Sequence, residues 1–424
     1  MVFVPFIYFF IVFLLIFRRR GLDVSAIMAL IYTISTLVAI YLYQNPKGGM
    51  GIDYTKVELS FIPTILYCSL NSLLIYPFYR FNSNKVRHIN GTINKRLFNF
   101  VVILYILVFL INLVILAQVS VSQIFLSLAE NRQNYYGGED NIVHGLPYYA
   151  KVLYYGFGMF GGCAYFILPF FFYSVAFLNN KPWFNLMILV SSMTPILTGL
   201  VVSDRSSTFY WLLMLVLCYF LFKNYLGVSG KKFVIKLISV FGGILIVYFV
   251  AVTLARFEVY DNGASGGLLD YIGQSYLNFC EIWNHRNVDL ASFGRIFPLS
   301  NMLFHHSMEW RDFGEIFESK TGVDIGVFFS APGLFLTDIG RLASVLITIL
   351  IFLVTNGIIK KVARRDFSLS SLIVVFIFAA IPQCGVISYF YTSAPRVFCL
   401  LFFLLIARAI SKRKRRQGLV PSKR

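Results

Sequence analysis

Residues 98–118 read FNFVVILYILVFLINLVILAQ, an uncharged run that follows Lys95 and Arg96. A hydrocarbon core about 30 Å thick needs roughly 20 apolar residues at a rise of about 1.5 Å each, so this stretch predicts a membrane-crossing helix. The same test carried outward along the chain predicts ten more, near 2–17, 24–43, 60–79, 150–177, 183–202, 207–222, 234–255, 341–359, 368–388 and 396–411. The expected fold is therefore an all-α polytopic membrane protein, a single integral membrane domain over 1–424 with about eleven transmembrane helices. Composition agrees, since the chain is 58% hydrophobic and 13% charged, whereas soluble domains carry about 25% charged residues. Disordered, collagen-like and disulfide-scaffold classes are excluded on the same numbers.

The formal net charge of +18 would point to nucleic acid in a soluble protein. In a membrane protein the position of each charge matters more. With the N-terminus outside, the inside segments are 18–23, 80–97, 178–182, 223–236, 360–367 and the tail after about 407. They hold about two thirds of the 37 Lys and Arg and only two of the 19 acids, Asp23 and Asp366, as the positive-inside rule requires. This predicts a cytoplasmic C-terminus, a lipid bilayer as partner and no nucleic acid. Met1-Val2-Phe3 supplies no basic start for a signal peptide, and Arg18-Arg19-Arg20 follows the first apolar run with no small-residue cleavage site, so that run reads as a retained span. Five of the six cysteines fall in apolar runs, with no metal-binding spacing, and read as small buried hydrophobes.

Two outside segments are long enough to hold structure, a medium loop over 119–149 and a large one over 256–340. In the large loop Leu268-Leu269, Tyr271-Ile272, Tyr276-Leu277, Phe279 and Ile282-Trp283 recur at helical spacing, predicting short helices lying on the outer face. Its end, from Val327-Phe328-Phe329 through Pro332 to Leu334-Phe335-Leu336, is apolar but too short to span, which suits a re-entrant or interfacial element.

Arginines dominate the candidate residues outside. Arg205 sits in the polar knot Asp204-Arg205-Ser206-Ser207-Thr208 between two apolar runs. There a planar five-donor fork could hold a lipid-linked diphosphate, or Asp204 and Arg205 could simply pair in a turn. The large loop carries Arg256, Arg286, Arg295, Arg311 and Arg341 against one lysine, a usage that favours phosphate or carboxylate recognition, with interfacial snorkelling as the alternative. Arg132 is the corresponding residue of the medium loop. Acid-base candidates are Glu281, His285, Asp289, His305, His306, Glu309, Asp312, Glu315 and Asp338. Asp338 directly precedes a span, so its carboxylate needs a partner, and Arg341 is the obvious one. No Walker phosphate loop, dinucleotide fingerprint or His-Glu-x-x-His pair occurs, and no metal or other cofactor is expected.

The layout of eleven spans, a medium and then a dominant late outer loop, the arginine-serine knot and the Thr337-Asp338-Ile339-Gly340 lead into a late helix resembles the bacterial oligosaccharide repeat-unit polymerases, the O-antigen polymerase family. Some members carry an Arg, ten residues and a Gly in outer loops, a spacing matched by Arg256 with Gly267 and Arg311 with Gly322. The resemblance implies a nucleotide-sugar-independent glycosyltransferase at the outer face of the bacterial inner membrane, with a polyprenyl-diphosphate-linked oligosaccharide as substrate and a chain-length regulator protein as candidate partner. It implies Arg205, Arg256, Arg311, Arg341 and Arg132 as diphosphate contacts and His305, Glu281 or Asp338 as the catalytic base. An O-antigen ligase and a lipid-linked oligosaccharide transporter are the alternatives.

Overall fold

The computed structural model describes residues 1–45, 53–81, 89–90, 93–117, 147–178, 180–201, 206–257, 263–285, 310–323, 328–363, 367–386 and 394–410. α1 (Phe3–Arg20) stops at Gly21, whose φ of +68° suits glycine and whose N–H bonds the Phe17 carbonyl oxygen. α2 (Val24–Gln44) starts at Asp23, where one carboxylate oxygen accepts from the Ala26 N–H and the Ser25 hydroxyl, supplying the first turn with an acceptor. α3 (Phe61–Phe81) and α4 (Lys95–Ala117) follow.

The predicted run 150–177 is not one helix but α5 (Tyr148–Gly161), a 3-10 turn over Ala164–Ile167, α6 (Leu168–Tyr173) and a π turn over Ser174–Leu178. The next run divides into α7 (Pro182–Ser191) and α8 (Thr194–Val201). At that break the hydroxyls of Ser191, Ser192 and Thr194 each bond a carbonyl three residues back, a competition that bends helices. Beyond it come α9 (Ser206–Phe222), α10 (Val228–Phe257), α11 (Gly263–His285), α12 (Trp310–Thr321), α13 (Ala331–Ile339), α14 (Arg341–Ala363), α15 (Leu369–Ala379) and α16 (Ala394–Ile410). Each of the eleven predicted apolar runs contains helix, but the run 368–388 is an α-helix only as far as Ala379 and continues as a 3-10 turn over Ile381–Gln383. Among the described residues four of these helices, α2, α3, α4 and α14, are long and apolar enough to cross a membrane. The described residues are all-α apart from a two-residue parallel pair, β1 (Ile89–Asn90) with β2 (Phe367–Ser368).

Contacts between distant residues bring one end of many helices together. Arg19 and Arg20, at the end of α1, bond Tyr79 near the end of α3. The Lys223 ammonium, just past α9, donates to the Leu22 carbonyl oxygen at 3.0 Å. The Asn94 N–H, before α4, bonds the Ile410 carbonyl oxygen at the end of α16. The rings of Phe177 and Tyr225 lie 6.0 Å apart in a tilted arrangement, and β1 joins β2. The segments read as inside therefore share this basic end wherever they are described.

One large core of buried side chains runs through the described residues, with a small separate cluster of Ile16, Ala26 and Ala29. The outer surface is apolar too, with Phe100, Leu107 and Leu110 of α4 and Leu346, Leu350 and Leu353 of α14 exposed, as expected of helices solvated by lipid tails.

Candidate functional site

α11 corrects the expectation of short helices lying on the outer face. It is one continuous helix of 23 residues, and it packs along α2 and α3 inside the bundle. Gly273 makes the approach to α2 possible. A Cβ there would lie 2.8 Å from side-chain carbons of Val38 and Leu42 and 2.9 Å from the backbone nitrogen of Ala39, so only a residue without a side chain fits.

Around that contact the polar atoms of three helices are matched. The Ser35 hydroxyl donates to the Ile272 carbonyl oxygen at 2.7 Å and lies 3.1 Å from the Ser275 hydroxyl. Ser275 meets the Tyr67 hydroxyl at 2.9 Å, and Tyr276 meets the Thr64 hydroxyl at 2.8 Å. Deeper in the bundle the Tyr32 hydroxyl reaches the Asn71 side-chain oxygen at 2.9 Å and the Pro382 carbonyl oxygen at 2.6 Å. Each of these side chains is buried, and a buried hydroxyl without a partner would be costly. Hydropathy alone does not predict this seam. Its signal is polar residues at helical spacing inside apolar runs, as at Thr64, Tyr67 and Asn71.

A second polar stripe runs along α11 through Asp270, Gln274 and Asn278, all buried. The Asn278 amide nitrogen donates to the Gln274 side-chain oxygen at 3.2 Å and to the Phe328 carbonyl oxygen at 3.0 Å. Phe328 leads into α13, whose residues Ala331 to Asp338 are buried. The segment starts against Gly385, where a Cβ would meet the Ser330 carbonyl carbon at 2.7 Å, and ends beside the last turn of α11. It is a short helix packed in protein, too short to cross a membrane by itself.

Three of the predicted site residues lie on α11, α13 and α14, and Arg341 joins the start of α14 to the end of α11. Glu281 is half-buried in the last turns of α11, Asp338 is fully buried near the end of α13, and Arg341 opens α14. The expected Asp338–Arg341 ion pair does not form. Arg341 instead donates from Nε to the Trp283 carbonyl oxygen at 2.7 Å and from Nη2 to the Asn284 carbonyl oxygen at 3.0 Å. Those oxygens belong to the last turn of α11, which has no helical donors left for them, and the negative end of the helix dipole attracts the cation.

The Arg341 guanidinium also sits 5.8 Å from the Trp283 ring centroid. The Asn284 side-chain nitrogen reaches the Glu58 carbonyl oxygen at 2.7 Å, tying the same turn to the connection between α2 and α3. A fully buried carboxylate such as Asp338 requires a compensating cation or hydrogen-bond donor.

Arg256 lies in the last turn of α10 and Arg311 in the first turn of α12, with side chains outside the described set. α10 begins near the basic end, and its 30 residues span about 45 Å, which carries Arg256 to the opposite end. Arg205, Arg132 and His305 lie outside the described residues, as do residues 119–146 of the medium loop and much of 256–340. Among the described residues no group of three His, Cys, Asp or Glu side chains could hold a metal ion. No family model matches the chain, and neither a curated protein nor a solved structure is similar to it.

Proposed function

We propose that this chain is an eleven-span glycosyltransferase of the bacterial inner membrane that polymerises lipid-linked oligosaccharide repeat units at the outer face. The N-terminus lies outside and the C-terminus in the cytoplasm. A growing glycan on a polyprenyl diphosphate is the donor, and the end sugar of a single lipid-linked repeat is the acceptor. An acceptor hydroxyl oxygen attacks the anomeric carbon of the donor. The bond from that carbon to the diphosphate breaks, and the diphosphate leaves with the electron pair.

The acceptor proton passes to a base, for which His305, Glu281 and Asp338 stand as candidates. Arginines balance the charge that develops on the leaving group. In this reading Arg205, Arg256, Arg311 and Arg132 contact the diphosphate. Arg341 takes part with the three of its five donors that α11 leaves over. A chain-length regulator is the protein partner.

One observation carries the reading. Glu281, Asp338 and Arg341 lie on α11, α13 and α14, Arg341 joins the start of α14 to the end of α11 at the end opposite the basic loops, and the helix bearing Arg256 reaches the same end. In the proposed topology this end faces outward, where the diphosphate of a lipid-linked glycan is presented. The test is Arg256→Ala in the native host, with surface glycan resolved on a gel. Loss of polymer with single repeats still attached to their acceptor supports a polymerase. Loss of all attached glycan means a ligase, and polymer of ordinary length overturns both.

A further inference from the structure

We propose that the basic end carries a discrete site for the headgroup of an anionic phospholipid, built from Arg18 and Arg19 of α1 and Arg80 of α3. The inference rests on the membrane-crossing reading of the helices and not on the polymerase reading. Arg19 and Arg80 are held near two tyrosines of α3, and Arg18 is exposed beside Arg19. Arg19 donates to the Tyr79 hydroxyl at 3.3 Å. Its neighbour Arg20 donates to the Tyr79 carbonyl oxygen and lies 4.0 Å from the centroid of that ring. The Arg80 guanidinium is 6.0 Å from the Tyr76 centroid, and the Tyr76 and Tyr79 rings are 6.2 Å apart. The hydrogen bond to the Tyr79 hydroxyl restrains Arg19 and the Tyr76 ring restrains Arg80, which lowers the entropy lost when a ligand is held.

Among the described residues no carboxylate is paired with Arg18, Arg19 or Arg80. The inside segments contain two acids, Asp23 and Asp366. Asp23 is buried, with one oxygen committed to Ala26 and Ser25, and Asp366 lies outside the described residues. The one ion pair among the described residues, Lys56 with Asp53, belongs to the connection at the other end. Arg18, Arg19 and Arg80 are exposed, and planar forks presented without a carboxylate match the paired oxygens of a phosphate.

The surface one turn deeper identifies the phosphate as a lipid's. Leu14, Leu15 and Phe17 of α1 and Tyr76 of α3 are exposed. So are Leu353 and Val354 of α14, whose Phe352 packs against the Tyr76 ring. An acyl chain has an apolar seat directly below the charged forks, a combination that a soluble polyanion would leave half unused.

The test uses the full chain and retains its charge, so that orientation in the membrane is unaffected. Wild-type protein and the Arg18→Lys, Arg19→Lys, Arg80→Lys triple variant are transferred from bilayers of phosphatidylglycerol and phosphatidylcholine, and bound lipid is counted by native mass spectrometry. The wild type should retain phosphatidylglycerol selectively, and the triple variant should retain about tenfold less, because lysine offers a point charge in place of the fork. Lys231→Gln with Lys232→Gln, which removes two exposed charges from the start of α10, should leave retention unchanged. Equal retention by the triple variant, equal loss in the lysine control, or displacement of the lipid by inorganic phosphate at the same concentration would each overturn the proposal.

Discussion

Arg341 closes the C-terminus of the helix that contains Trp283, donating from Nε to the Trp283 carbonyl oxygen at 2.7 Å. One side chain from the start of α14 thereby fixes the end of α11, and with it the position of Glu281 one turn earlier. A charge-assisted hydrogen bond contributes about 1.5–3 kcal/mol. Arg341→Ala should lower the thermal unfolding midpoint in detergent by several degrees, and Arg341→Lys should recover only part of the loss, since a single ammonium cannot serve both carbonyls in the same geometry. An unchanged midpoint for Arg341→Ala would remove the capping role and leave diphosphate contact as the only function of this arginine.

Gly273 and Gly357 make a matched pair. Both are helical, but a Cβ at Gly273 would press on the backbone of α2, whereas nothing lies within 4 Å of one at Gly357. Gly273→Ala should destabilise the protein by about 1–3 kcal/mol through overpacking. Gly357→Ala should be neutral or slightly stabilising, because alanine is the better helix former by about 1 kcal/mol. Comparable unfolding midpoints for the two variants would show that α11 does not dock closely on α2.

The Tyr67–Ser275 contact at 2.9 Å can be isolated in a double-mutant cycle of Tyr67→Phe and Ser275→Ala. Each single change should cost about 1 kcal/mol, and the pair less than the sum, with a coupling of about 0.5–1 kcal/mol. Strict additivity in denaturant titrations would mean that the two hydroxyls do not share a bond.

Asp23 caps α2 through one oxygen, so Asp23→Asn should be tolerated while Asp23→Ala costs about 1 kcal/mol. Hydrogen exchange at Ala26 is the local readout. Protection there that survives Asp23→Ala would rule out the cap.

Asp53 shows how acid should act on the connection before α3. The Thr55 hydroxyl, foremost, and also the Thr55 N–H and Lys56, hold its carboxyl below the usual range. The favourable contribution is present above the unfolded value of about 3.9 and is lost as pH falls through the lowered folded value. Protease nicking near residues 53–57 should thus be faster in Asp53→Asn than in wild type at neutral pH, and the difference should vanish in strong acid. A difference that persists there would mean the residue acts by packing and not by charge.

Much of the helical plan was legible because lipid solvation imposes a local rule. A run such as Leu104 to Leu110 must be helical in hydrocarbon whatever it touches, and lysine and arginine at its ends mark the basic side. The breaks at Ser192 and near Gly161 escaped the same reading, since hydropathy averages over a hydroxyl or glycine that redirects the chain. At the site, the residue types were legible and their pairing was not. Sequence adjacency made Asp338 the natural partner of Arg341, yet the uncapped carbonyls of Trp283 and Asn284 competed for the guanidinium.

The sequence by itself determined that this is an α-helical membrane protein with its basic loops on one side, because the cost of burying charge and unpaired backbone in lipid is paid residue by residue. Only the tertiary structure decided that the helix over Gly263–His285 belongs inside the bundle. Its Ser275, Tyr276 and Asn278 count as polar in any window of sequence, and they become admissible in the interior only when Tyr67, Thr64 and the Phe328 carbonyl oxygen stand opposite them. Those partners come from positions 50 to more than 200 residues away.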